Sequence, residues 1–291
     1  MVRTDLALEA RESVSEQETG IHGVNVEEKY DSETNIRVTH VSIDTKNASK
    51  ALSKPMGHYI TIEAPGMVEP DEDYHREISL VLAKELRKML PKGEVSVLIV
   101  GLGNRDVTAD ALGPHVVDNL FVTRHVVKVY GKAAFQDGLV NPVSCMEPGV
   151  TAKTGMDAAE MIRGVILQIK PDVLLAVDAL AARSIKRLNR TIQITDTGIW
   201  PGSGVGNHRS ALSKESMGVP VIAIGVPTVV DAATIVSDAV GSKGDEIKEI
   251  SGFGELGNMY VTSKDIDGVL KHLSFTISEG LNIALDPSEK L

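Results

Sequence analysis

Continuous apolar runs alternate with amphipathic stretches along most of this chain. Runs rich in Val, Ile and Leu are typical of strands buried on both faces of a parallel sheet, and they occur at 94–104, 172–180 and 219–227. Helical periodicity, with acids near the start or bases near the end of some segments, predicts helices at about 71–90, 111–123, 155–170, 228–240 and 263–284. This order predicts an α/β fold of three layers, with a mainly parallel sheet and helices on both faces.

The N-terminal part is richer in charge and has fewer apolar runs. Alternation predicts shorter strands at 38–43 and 58–65, and residues 44–57 between them have the composition of a polar connection. Another short strand is predicted at 191–195, between two of the long apolar runs. We therefore expect an N-terminal segment, 1–57, whose strands pack on the core, and an α/β core at 58–291.

Two aspartates follow predicted strands at the edge where sites form in open parallel sheets, which is the carboxyl edge. Asp178 ends the run LLAVD, and Asp110 lies in the turn GLGNRDVTADALG. A carboxylate in an apolar strand is costly to bury unless it is paired or used in chemistry. Each acid also has a structural interpretation: Asp178 as a helix cap or a backbone-amide acceptor, and Asp110 as a helix N-cap.

If the two carboxyl groups converge, they can perform acid–base chemistry. Neighbouring carboxylates resist joint ionisation, so one keeps its proton over a wider pH range. The ionised group can take a proton from water that attacks a peptide carbonyl, and the protonated group can polarise that carbonyl or protonate the leaving amine.

Other polar residues near these turns have weaker signals. Asp106, Asp196 and Asp231 are interpreted as loop, turn and helix-start acids. The glycine-rich stretch PGSGVGN is either a surface turn or a loop that lets a substrate backbone approach. The substrate-binding alternative involves Gly202, Ser203, Gly204, Gly206 and Asn207.

Composition and charge exclude several classes of function. The net charge of −10 argues against a protein that itself grips nucleic acid, although an acidic surface favours encounter with a cationic protein. The single cysteine, the lack of a signal-peptide pattern and the lack of a long apolar run predict a cytoplasmic protein without a membrane span. There is no HExxH motif, Cys/His cluster or nucleotide-binding glycine motif, so we expect no metal and no cofactor.

Long stretches of the sequence resemble the germination protease family of spore-forming bacteria. The similarity is carried by VRTDLALEARE, HYITIEAPG, GLGNRDVTADALGPHVVDNLFVTRH, VDALAARSIKRLNRTIQITDTGIWPGSGVGN and GVPVIAIGVPTVVDAATI. It implies an atypical aspartic endopeptidase whose essential aspartates match Asp110 and Asp178. The resemblance further implies α/β-type and γ-type small acid-soluble spore proteins as substrates, a homotetramer in the cytoplasm of the forespore or spore core, and no metal.

The resemblance also implies an inactive precursor. The family's processing point falls between Asp5 and Leu6, so the pro-region is about residues 1–5. The sequence departs from the family pattern at Arg105, Asp106 and Ala109, and at Glu147 and Lys153 in a stretch that is usually more apolar. Two alternatives therefore stay open: a metal-guided endopeptidase like the hydrogenase maturation endopeptidases, whose fold is similar, and a non-catalytic homologue.

Overall fold

The strands of this protein join into one mixed sheet with helices on both faces. The computed structural model describes residues 4–15, 22–135, 138–201, 210–240 and 253–289. The strands in this part are β1 (Val24–Asp31), β2 (Ile36–Ile43), β3 (Gly57–Glu63), β4 (Val97–Gly101), β5 (Val143–Met146), β6 (Val173–Ala182), β7 (Thr191–Thr195), β8 (Val221–Asp231) and β9 (Tyr260–Val261).

The helices cover the sheet and its carboxyl edge. They are α1 (Ala7–Ser15), α2 (Lys46–Leu52), α3 (Glu72–Met89), α4 (Leu112–Asp118), α5 (Arg124–Tyr130), α6 (Thr151–Thr154), α7 (Ala158–Ile169), α8 (Lys214–Met217), α9 (Ala232–Val240), α10 (Phe253–Leu256) and α11 (Ile266–Leu285). Short 3₁₀ helices occur at Pro65–Val68, Thr108–Asp110, Lys132–Ala134 and Ile185–Arg187.

The strand order is β1-β2-β3-β7-β8-β6-β4-β5, and β9 pairs with β8. The half that contains β8, β6, β4 and β5 is parallel, as the three long apolar runs predicted. The other half is antiparallel: β7 pairs with β8, β3 pairs with β7, and β2 and β1 follow. The predicted α/β fold is confirmed, with its parallel strands beside the site described below.

Alternate side chains of the parallel strands enter two different cores. On β6, Val173, Leu175 and Val177 pack with α3, α4 and α11, whereas Leu174 and Ala176 pack with α7. Burial on both faces explains why these strands appear in the sequence as unbroken apolar runs. The same alternation puts the side chain of Asp178 on the face that α7 covers, just past the end of that core.

Three local predictions differ from the structure. Residues 44–57 were expected to be a polar connection, but they contain α2, which the side chain of Thr45 caps by accepting from the amide of Ala48. The predicted helix 228–240 begins only at Ala232, because β8 continues to Asp231 alongside β6. The predicted helix 111–123 ends at Asp118, and α5 follows separately.

Candidate active site

A cavity of about 620 Å³ opens at the carboxyl edge of the parallel strands. We call it the edge cavity. Asp110 and Asp178 both line it, together with Asp5, Lys54 and Gln193. The two acids singled out by the sequence therefore line one cavity, although Asp178 lies within β6, which continues to Ala182, and not at the end of its strand as predicted. The described part of the cavity lining contains three aspartates, and Lys54 is the one lysine or arginine in that part.

Asp178 is placed by the sheet itself. Its register partner on β8 is Gly225, and Gly225 is in turn paired with Gln193 on β7. Residues paired across a sheet project to the same face, so Asp178 and Gln193 flank a position that has no side chain. Asp178 is 5% exposed, and its Oδ1 accepts a hydrogen bond of 3.0 Å from the amide of Ala179.

Asp110 is held by a tight turn after β4. It ends the 3₁₀ helix Thr108–Asp110, and its carbonyl oxygen accepts from the amide of Asn104 at 3.0 Å. Gly103 has φ +117°, and a Cβ there would lie 1.9 Å from the carbonyl oxygen of Asp110, so this turn requires glycine. Thr228 of β8 donates to the carbonyl of Ala109 at 2.5 Å, which ties the turn to the sheet.

The helix-cap interpretation of Asp110 is wrong. The N-cap of α4 is Ala111, and no side chain caps this helix. The backbone-amide interpretation of Asp178 is partly right, since its carboxylate accepts from the next amide. One of its oxygens makes that contact, and the residue still lines the edge cavity.

The three weaker candidates, Asp106, Asp196 and Asp231, have structural roles in a loop, a turn and the start of a helix. Asp106 is exposed and pairs with Lys153. Asp196 accepts from the backbone amide of His58 at 2.8 Å and contacts its Nδ1 at 2.7 Å. Asp231 accepts hydrogen bonds from the amide and the hydroxyl of Thr234 in the first turn of α9. None of these three lines the described part of the edge cavity.

Arg105, one of the departures from the family pattern, stabilises the turn that carries Asp110. Its guanidinium binds Asp118 at 2.7 Å and Glu147 at 2.6 Å, and it also donates to the carbonyl of Pro114. The hydrogen bond from Arg105 lowers the pKa of the Asp118 carboxyl. Arg105 and Glu147 therefore compensate each other and join the turn to α4 and to the segment after β5.

The chain just before α1 contributes Asp5 to the lining of the edge cavity. The amide of Asp5 donates to the carbonyl of Ala181 at 3.1 Å, and the amide of Ala181 donates to Oδ2 of Asp5 at 2.9 Å. The next side chain, Leu6, is fully buried against Leu180, Ala182 and Val230. The bond between Asp5 and Leu6 thus runs from the cavity lining into an apolar pocket.

Two side chains that the sequence analysis did not single out bind the carbonyl of Asp5. Lys54 Nζ donates to this oxygen at 2.9 Å, and Gln193 Nε2 donates to it at 3.1 Å. The other end of the Gln193 amide accepts from the amide of Ala7 at 2.7 Å. An amide side chain in the middle of the apolar strand TIQIT was the available signal for Gln193, whereas Lys54 had none.

A buried charge cluster fixes the residues that follow Leu6. The carboxylate of Glu9 accepts from the amides of Arg183 and Ser184 at 2.8 and 3.0 Å. Arg187 lies 3.6 Å from Glu9 and also binds Glu12 at 2.7 Å. Because buried charges are costly unless they are paired, these contacts anchor α1 firmly beside the end of β6.

The proposed glycine-rich loop, with Gly202, Ser203, Gly204, Gly206 and Asn207, lies outside the described residues. In the described part of the chain, no three His, Cys, Asp or Glu residues come together as a metal site would require. The helices of this part include none that is both long enough and apolar enough to cross a membrane.

Comparison with known proteins identifies relatives over nearly the whole chain. The family described as "Germination protease" matches residues 2–249. The germination protease of Caldanaerobacter subterraneus subsp. tengcongensis is 44% identical over 98% of this chain and 94% of its own length. That of Clostridium tetani is 41% identical over 100% of this chain and 97% of its own. Among solved structures, the [NiFe] hydrogenase maturation protease HycI of Thermococcus kodakarensis is 20% identical, with a TM-score of 0.36, over 68% of this chain and 98% of that chain.

Proposed function

The chain belongs to the germination protease family of endopeptidases, and we propose that it hydrolyses small acid-soluble spore proteins with Asp110 and Asp178 as its acid–base pair. The observation that carries the catalytic part is the presence of both acids in one cavity at the carboxyl edge of parallel strands. Sites of open α/β sheets form at this edge. The substrate class follows from the family resemblance of the sequence, and the α/β-type and γ-type spore proteins are both included.

The proposed reaction is water addition followed by loss of the amine. The ionised carboxyl group of the pair takes a proton from water as the water oxygen bonds to the peptide carbon. The protonated group then gives its proton to the nitrogen as the carbon–nitrogen bond breaks. This scheme requires one carboxyl group of the pair to be protonated while the other is ionised, a distribution that neighbouring carboxylates favour.

Processing between Asp5 and Leu6 is part of the same proposal. The pro-region, about residues 1–5, would leave after cleavage, while Leu6 and α1 stay anchored through their apolar and ionic contacts. Asp5 lines the same cavity as Asp110 and Asp178, and this shared cavity supports self-cleavage. With this substrate class, the proposed place of activity is the cytoplasm of the forespore or spore core.

Discrete cleavage of a purified α/β-type spore protein, followed by mass spectrometry, tests the proposed function. We expect a small set of fragments after incubation with the full chain, together with loss of residues 1–5. A chelator should leave the rate unchanged. Loss of activity with chelator, restored by nickel, would favour the metal-guided alternative, and binding without fragments would favour a non-catalytic homologue.

We also propose a homotetramer. Aromatic residues make up only 3% of the chain, yet Phe121 and Tyr130 are 75% and 72% exposed, and Val129 beside them is 69% exposed. Exposed apolar groups close together in the chain favour a protein–protein interface. Sedimentation equilibrium should give the mass of four chains, and Phe121→Ser combined with Tyr130→Ser should lower it. A monomer mass for the unmodified protein would contradict this proposal.

A further inference from the structure

The backbone carbonyl oxygen of Asp5 accepts hydrogen bonds from two side chains. The ammonium group of Lys54 donates to this oxygen at 2.9 Å, and the side-chain amide of Gln193 donates to it at 3.1 Å. Lys54 also donates to the carbonyl of Thr4 at 3.2 Å. A hydrogen bond from a charged donor is stronger than one from a neutral donor, so this carbonyl is polarised toward negative oxygen.

The two donors reach this oxygen from different elements of the cavity lining. Gln193 lies on β7, in the row that continues through Gly225 to Asp178. Lys54 lies between α2 and β3, and β3 is the other neighbour of β7. Asp5 and both donors line the same cavity as the two acids.

We propose that Lys54 and Gln193 are further catalytic residues, which bind the oxygen of the scissile carbonyl as negative charge develops on it. The inference rests on the proposed function, and Asp5 stands in for the residue whose carbonyl is attacked. When the water oxygen bonds to carbon, the π electrons of the carbonyl move to oxygen. When the carbon–nitrogen bond breaks, those electrons return. Lys54 donates hydrogen bonds throughout and keeps its protons.

Donors that already point at the place where charge develops stabilise a transition state without reorganisation. Lys54 supplies a full positive charge, and among the described lining residues of the edge cavity no other lysine or arginine does so. Gln193 supplies a neutral donor, and its own oxygen is fixed by the amide of Ala7. The fixed orientation of Gln193 limits the entropy that would be lost on binding a substrate carbonyl.

The charge of Lys54 has a predictable pH dependence. Burial lowers the pKa of its ammonium group, and the carboxylates of Asp5 and Glu9 oppose this effect. Asp110, Asp178 and Tyr59 also line the cavity, and burial raises the pKa of Tyr59 to about 12. Since the protonated lysine is the donor, the rate should fall as pH rises through the lowered pKa of Lys54. An arginine does not titrate in this range.

Lys54→Met and Lys54→Arg in the full chain test the inference. Self-cleavage between Asp5 and Leu6 is followed by mass spectrometry, and kcat and KM are measured on a spore-protein peptide, both across pH. We expect Lys54→Met to lower the self-cleavage rate and kcat about 100-fold with a small change in KM. Lys54→Arg should retain more activity than Lys54→Met and lose the decline at high pH. Gln193→Ala should lower kcat about 10-fold, as loss of a neutral donor.

Lys50→Met is the matched control, because Lys50 is exposed in the last turn of α2. It should leave both rates within about 2-fold of the unmodified protein. Thermal unfolding of every variant checks that the fold is intact. Wild-type kcat in Lys54→Met, or an unchanged alkaline decline in Lys54→Arg, would overturn the inference.

Asp178→Asn in the same assay separates this inference from the function on which it rests. An inactive Asp178→Asn beside a fully active Lys54→Met would keep the acid–base pair and discard the oxygen-binding role of Lys54. A slow Lys54→Met variant beside a fully active Asp178→Asn variant would keep the oxygen-binding role of Lys54 and discard the acid–base pair. If the unmodified chain cleaved neither itself nor the peptide, the proposed function and this inference would both be wrong.

Discussion

Asp178→Asn is expected to lower kcat for spore-protein cleavage at least about 1,000-fold, and Asp110→Asn is expected to do the same. Each substitution keeps the size and shape of the side chain but removes the group that gains or loses a proton. The residual rate measures what carbonyl binding and positioning achieve without acid–base chemistry. Initial rates on a purified α/β-type spore protein, measured by chromatography of the fragments, provide the test.

The double variant gives a sharper test of a working pair. If Asp110 and Asp178 act on the same proton transfers, removing both should cost little more than removing either one. Two independent contributions would multiply instead. The matched control is Asp106→Asn, which changes an exposed acid on the turn of Asp110 that pairs with Lys153. This control should cleave within about 2-fold of the unmodified rate. More than a tenth of the activity in either single variant would rule out the pair.

The parallel half of the sheet could be predicted from the sequence because its strands are buried on both faces. Val97 and Ile99 of β4 enter one core and Leu98 and Val100 enter the other, so the whole strand has to be apolar. The same reasoning located Asp178, since a charge at the end of such a run stands out. Burial is less uniform in the antiparallel half. Strand β1 is largely exposed and was not predicted, and the predicted strand 38–43 covers only part of β2.

The contacts around the Asp5 carbonyl could not be predicted in this way. Lys54 lies in a short polar stretch, SKPMG, where composition indicates only a connection. Its position beside Asp5 depends on how α2 packs against α1, where Ala48 and Leu52 pack in one apolar cluster with Ala7. Residues so far apart in sequence meet only through the tertiary fold. Helix α2 itself was missed because its apolar face is limited to a few residues, of which Ala48 and Leu52 are buried.

Gly113→Ala is expected to lower the free energy of unfolding by about 3 kcal/mol or more. Gly113 is in the first turn of α4, and a Cβ there would lie 2.3 Å from the carbonyl oxygen of Leu102 and 2.6 Å from that of Val177. Both neighbours are backbone atoms of the central strands or their ends, so a rotamer change cannot relieve the overlap. Helix α4 would have to move away from the sheet.

The movement should also impair catalysis, because Leu102 begins the turn toward Asp110 and Val177 directly precedes Asp178. We therefore expect a lower kcat for Gly113→Ala even at temperatures where it stays folded. Urea denaturation gives the free energy of unfolding, and activity is measured on the same samples. Gly164→Ala is the matched control: Gly164 is an exposed residue of α7 with no atom within 4 Å of the added Cβ.

The control should behave in the opposite direction. Alanine is favoured over glycine inside a helix, so Gly164→Ala should raise the free energy of unfolding by about 0.5–1 kcal/mol and leave kcat unchanged. The contrast between the two substitutions separates two effects on the free energy of unfolding: the close approach of α4 to β4 and β6, and helix propensity. Equal stability of Gly113→Ala and the unmodified protein would mean that this approach does not hold the two acids in place.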